Sequence, residues 1–112
     1  MFLPQFIISL VFVAGGMTMA RFPPKKINPL YGYRTRRSMQ SPEAWKYAQR
    51  VSSRKMVLCG LVGLVVFVVT WMSDCNEGVN AILMIATLII SLFYVIYSVE
   101  RNLKRKFPDV NN

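Results

Sequence analysis

The sequence predicts an all-α membrane protein: three transmembrane helices, with a cytoplasmic amphipathic helix between the first and second. Three observations predict it. The 112 residues are 54% hydrophobic, yet the net charge is +9. A soluble domain this small keeps too much surface to bury so large an apolar fraction. The two characters are also segregated, with three long uncharged runs and the charges between and after them, the composition of a small polytopic membrane protein in a single domain over residues 1–112. Finally, ten of the fourteen basic residues lie between the first and second runs and four follow the third.

The first run, residues 2–20, is interrupted only by the polar residues Gln5, Ser9 and Thr18. As a helix it would be about 28 Å long, close to the hydrocarbon thickness of a bilayer. A cleaved signal peptide competes with this reading. Against it, there is no positive n-region and the small-residue pattern around Ala20 is poor. Gly16 and Ala20 make a small-xxx-small pair of the kind that admits a second helix closely.

Residues 21–55 form the polar connection. Pro23 and Pro24 stop the first helix, and Asn28-Pro29 is a turn signal. Ser41 suits an N-cap, Pro42 the first helical position, and Glu43 the positive end of the helix dipole. From Pro42 to Gly60 there is no breaker. Lys46, Arg50 and Arg54 recur every four residues as a basic stripe for anionic lipid headgroups. Trp45, Ala48, Val51 and Ser52 make the less charged side. The segment is expected to lie against the interface as an amphipathic helix or to run on into the second span.

The second run, residues 56–72, is rich in Val and Leu, and its length favours a spanning helix over a strand. Cys59, Gly60 and Gly63 form a small patch suited to close helix contact. A short acidic loop, Ser73 to Asn80, leads to the third run, residues 81–99, and a basic tail, residues 100–112. The positive-inside rule places the connection and the tail in the cytoplasm, with the N-terminus outside. Cys59 and Cys75 stand about 24 Å apart along a helix, too far for an intrachain disulfide. Cys59 reads as a packing residue and Cys75 as a loop thiol.

The chemistry is sparse. There is no histidine, no metal-ligand spacing and no pairing of nucleophile with base, so catalysis is not expected and no cofactor or metal is implied. The runs hold no ionisable residue of the kind that couples transport. Nucleic acid is excluded as a partner because the cations flank apolar runs, where lipid headgroups are nearer. Binding is what is left: to lipid, to a membrane protein or to a membrane-active ligand. In the connection, Tyr31, Tyr33, Trp45 and Tyr47 read most simply as interfacial anchors, and Arg36 and Arg37 as solvated charge. Gly32 permits a tight turn that would aim Arg34 and the Thr35 hydroxyl at one anion or carbonyl.

Asn28, Gly32, Arg34, Thr35 and Ser38, followed by Trp45, Ala48 and Arg50, together resemble the signature of the SdpI family of bacterial membrane proteins. The pattern is similar to Asn-x-x-x-Gly-x-Arg-Thr-x-x-Ser followed by a tryptophan, an alanine and a basic residue. The family is named after an immunity protein that protects a producer from its own secreted peptide toxin. The resemblance implies a bacterial cytoplasmic membrane protein, toxin immunity by binding, and a signalling role through capture of a cytoplasmic repressor. The namesake is longer, with further spans before the signature domain. A second expectation is a small accessory subunit that packs on a larger membrane protein, in a homo- or hetero-oligomer, and binds anionic lipid. Because the signature falls on the cytoplasmic side, it suits a structural or signalling surface better than a receptor for a toxin arriving from outside.

Overall fold

The computed structural model describes residues 3–28, 30–74 and 76–107. The start of the first run at Phe2, the turn residue Pro29, the thiol of Cys75 and the last five residues of the tail lie outside the described residues. Three helices run through the described residues: α1 (Leu3–Arg21), α2 (Pro42–Met72) and α3 (Glu77–Lys106). Each is long and apolar enough to cross a membrane. No strand is present among the described residues.

The helix signals work as their chemistry requires. Ser41 is extended and its hydroxyl accepts from the Ala44 amide at 3.0 Å, with Pro42 in the first turn. Asn76 does the same for α3, accepting from the Val79 amide at 2.8 Å. Between them Asp74 turns the chain in the left-handed region, φ 52°, which a short polar side chain tolerates.

Of the two arrangements expected for the segment from Pro42, the continuous one is found. No separate amphipathic helix lies between the first and second spans among the described residues. The segment from Pro42 is the first half of α2, which runs unbroken for 31 residues, about 46 Å. Its buried side explains why it does not lie flat on lipid. Besides Trp45 that side holds Ala44, Ala48, Gln49, Ser52 and Ser53, small and polar residues that match a protein surface better than hydrocarbon. The basic tail is helical for its first part: α3 begins four residues before the third apolar run and continues through the basic segment to Lys106. Both helices exceed the roughly 30 Å hydrocarbon core, so a helical hairpin projects beyond it at the basic end.

The α1–α2 contact is antiparallel and close. A Cβ on Gly60 would stand 2.8 Å from the Ser9 carbonyl oxygen, and one on Gly16 would stand 2.7 Å from that of Ser53. Neither fits, so glycine is what lets the backbones approach, the device expected where lipid supplies no hydrophobic drive between helices. Ala20, the other half of the small-residue pair, is exposed. Gln5 is only 3% exposed; its amide donates to the Gly63 carbonyl at 3.2 Å, and the Ser9 hydroxyl donates to the Gln5 carbonyl at 2.8 Å. Two of the three polar interruptions of the first run, Gln5 and Ser9, therefore lie on its α2-facing surface, while Thr18 is exposed and donates to the Ala14 carbonyl at 2.7 Å. On the far side of α2, Cys59 is buried against the Ser91 carbonyl of α3.

Candidate functional site

The connection folds onto the projecting hairpin, and the side chains that pin it can be taken in chain order. Trp45 is fully buried, and its indole donates to the Pro24 carbonyl at 2.6 Å. It is an internal strut where an interfacial anchor was expected. Asn28 builds the first turn: its side-chain oxygen accepts from the amides of Leu30 at 3.0 Å and Tyr31 at 2.7 Å, the Asx arrangement that replaces a backbone turn. Tyr31 closes the loop by donating to the Phe22 carbonyl at 3.0 Å.

Gly32 follows at φ +105°, a conformation open to glycine and costly to side chains. Space excludes a side chain as well, since a Cβ would stand 2.7 Å from both Gln49 Oε1 and Pro24 Cγ. The close approach exists because Gln49, 1% exposed, grips the next residue at both backbone groups. It accepts from the Tyr33 amide at 2.6 Å and donates to the Tyr33 carbonyl at 2.8 Å. One primary amide satisfies one residue's whole backbone, as a neighbouring strand would.

Thr35 and Ser38 form a reciprocal pair. The buried Ser38 hydroxyl accepts from the Thr35 amide at 2.8 Å, and the Thr35 hydroxyl accepts from the Ser38 amide at 3.2 Å. The Thr35 hydroxyl then donates to Glu100 Oε2 at 2.8 Å, and the Tyr33 hydroxyl donates to the same oxygen at 2.8 Å. Arg37 reaches the other oxygen, Nε to Oε1 at 3.7 Å. Glu100 of α3 is thus the acceptor on which the loop converges. Burial, then the hydrogen bond to Glu100 and its negative charge, raise the Tyr33 phenol above its ordinary value. Tyr33 therefore stays a donor across the physiological range. Gln40 adds a bond to the Phe107 carbonyl at 3.3 Å, tying the loop to the end of α3.

The expected site residues therefore separate. Asn28, Gly32, Thr35, Ser38, Trp45 and Ala48 are brought together as the loop's internal frame, with Ala48 fully buried in the α2–α3 contact. Arg34 is exposed and does not share an anion with Thr35, whose hydroxyl is spent on Glu100. It is Arg37, expected to be solvated charge, that makes the ion pair. Lys46, Arg50 and Arg54 are exposed on another side of α2 and line a cavity of about 420 Å³ beside the end of α1. Sequence reasoning missed Gln49 and Glu100. Gln49 had a signal, since it falls four residues after Trp45 and three before Ser52 on one helix face. Glu100 had a weaker one, as the first charge after a long apolar run and an acid before a basic tail.

The fold and this frame define a class: a three-helix protein able to cross a membrane, with a hydrogen-bonded basic loop folded on the projecting ends of two helices. A model of the SdpI/YfhL protein family matches residues 25–98, which include the loop frame apart from Phe22, Pro24, Glu100 and Phe107. The chain belongs to this family. It is also 48% identical over 52 residues to the uncharacterized protein YfhL of Bacillus subtilis (strain 168), a match covering 46% of this chain and 47% of that one. The aligned part is about half the length of that relative. No solved structure matches the chain.

Proposed function

We propose that this chain is an SdpI-like immunity protein of a bacterial cytoplasmic membrane, acting by binding and not by catalysis. The observation that supports the reading is the family match over the loop and the α2–α3 hairpin. We further infer that the N-terminus lies outside and the loop and α3 end lie in the cytoplasm, since every cation falls in or beside those two segments. With Asn28, Gly32, Thr35, Ser38, Trp45 and Ala48 occupied in holding the loop, what the loop offers to a partner is its rim: Leu30, 92% exposed, with Arg34 and Arg36. A basic rim with an apolar tip suits a cytoplasmic regulator, in keeping with a signalling role by repressor capture.

The test is survival of a deletion strain challenged with membrane-active peptides, including those of neighbouring bacteria. Deletion is expected to sensitise the cells. Joint replacement of Leu30, Arg34 and Arg36 by serine is expected to do the same while membrane levels of the protein hold. Unchanged survival across the panel, with one stoichiometric membrane partner co-purifying, would overturn the immunity reading in favour of an accessory subunit.

A further inference from the structure

The cavity beside the end of α1 is independent of the loop frame's bonding to Glu100, and no residue of α3 lines it. Lys25 on the loop and Lys46, Arg50 and Arg54 on α2 surround it, together with the apolar Met19 and Pro24. No carboxylate lines it, and none of the four cations has an anionic partner among the described residues; the ion pair found there is that of Arg37 with Glu100. Three of the cations stand four residues apart on one helix, a like-charge spacing that disfavours the helix unless an anion is shared. The Ser53 hydroxyl on the wall is already donated to the Arg50 carbonyl at 2.9 Å, so the cavity offers positive charge and few neutral donors. A volume of about 420 Å³ lies in the range of ligand sites.

Depth identifies the anion. The cavity sits where α1 ends at Arg21 and where the uncharged stretch of α2 begins at Met56, the headgroup level for helices of this length. Beyond it the surface turns apolar without a break: Leu58 and Leu61 follow Arg54 on the same face of α2, and Met17 precedes Ala20 on α1, all exposed. A free phosphate would use the cations alone, whereas a phospholipid uses both halves. We infer that this cavity seats the phosphate of an anionic glycerophospholipid, with the acyl chains running down the Met17–Leu58–Leu61 surface. Basic pockets between helices at a membrane boundary bind such headgroups through the same combination of charge and apolar contact.

The experiment uses the full chain in mild detergent, titrated with phosphatidylglycerol or phosphatidylcholine and read by native mass spectrometry. Phosphatidylglycerol is expected to be retained at least about tenfold more tightly. Joint K46Q, R50Q and R54Q substitution is expected to abolish that preference. An equal charge loss on α3, R101Q with K104Q and R105Q, is expected to keep it. Thermal unfolding of both variants without lipid controls for folding, and a single R50Q variant repeats the test if the triple one is destabilised. Equal retention of the two lipids, equal loss in both triple variants, or displacement of the lipid by millimolar inorganic phosphate would each overturn the assignment.

Discussion

The α1–α2 seam and the loop frame are both close contacts, and they are made of opposite materials. In the seam, Gly16, Gly60 and Gly63 remove side chains so that backbones meet. The few polar groups there, Gln5 and Ser9, bond to carbonyls. In the frame, Trp45, Gln49 and Ser38 add side chains that reach across to an irregular backbone, and Glu100 accepts from the Tyr33 and Thr35 hydroxyls. The difference follows from where each backbone's hydrogen bonds go. Within a helix every group is satisfied internally, so contact needs only space. An irregular loop half-buried on a hairpin has amides and carbonyls to satisfy, and each one left unpaired costs about 1–3 kcal/mol.

That contrast can be broken at either end. The largest effect is expected from Trp45→Ala, which removes both a buried ring and the donor to Pro24, at about 3–5 kcal/mol in equilibrium unfolding. Trp45→Phe separates the two and is expected to lose about 1–3 kcal/mol. Gly60→Val forces a side chain into the Ser9 carbonyl and the Val13 amide and is expected to cost about 1–3 kcal/mol or more. Its signature is loss of cross-linking between cysteines placed on α1 and α2, with the loop frame still protected. Gln49→Leu keeps the volume, strands the Tyr33 amide and leaves the Tyr33 carbonyl with the Ser38 hydroxyl at 3.2 Å, costing about 2 kcal/mol. Hydrogen exchange at the Tyr33 amide is expected to accelerate while amides in mid-α2 do not change. A Gln49→Leu protein with unchanged exchange at Tyr33 would show that the clamp is dispensable.

The pH response is smaller. The Tyr33 phenol is raised in the folded protein, so folding favours its protonated form. Its contribution is complete below the ordinary tyrosine value near 10 and is lost progressively as pH rises past it. Comparing unfolding of the wild type with Tyr33→Phe above pH 10 isolates it, and the Phe variant is expected to fall less steeply. The smallest effect is expected for Arg34→Ala, within about 0.5 kcal/mol, because that side chain is exposed outside the frame. A larger loss would return Arg34 to the interior network.

Much of this protein was legible in the sequence because lipid makes few demands. Three apolar runs of spanning length, the Ser41-Pro42 helix start and the glycines of the second run each report a local requirement, and each is found where it was read. The Asn28–Arg50 stretch also identified the family. What the sequence could not say is which partner each of its polar groups takes. Arg34 and Arg37 differ little as residues; only the loop's path, set by the Gly32 turn and the Gln49 grip, points Arg37 at Glu100 and Arg34 away. Glu100 is remote in sequence, and its role exists only because α3 runs on past the apolar stretch and stands beside the loop. Periodicity and composition record what a residue needs from solvent or lipid. Hydrogen bonds between distant segments depend on positions to within a few tenths of an ångström, which packing alone decides.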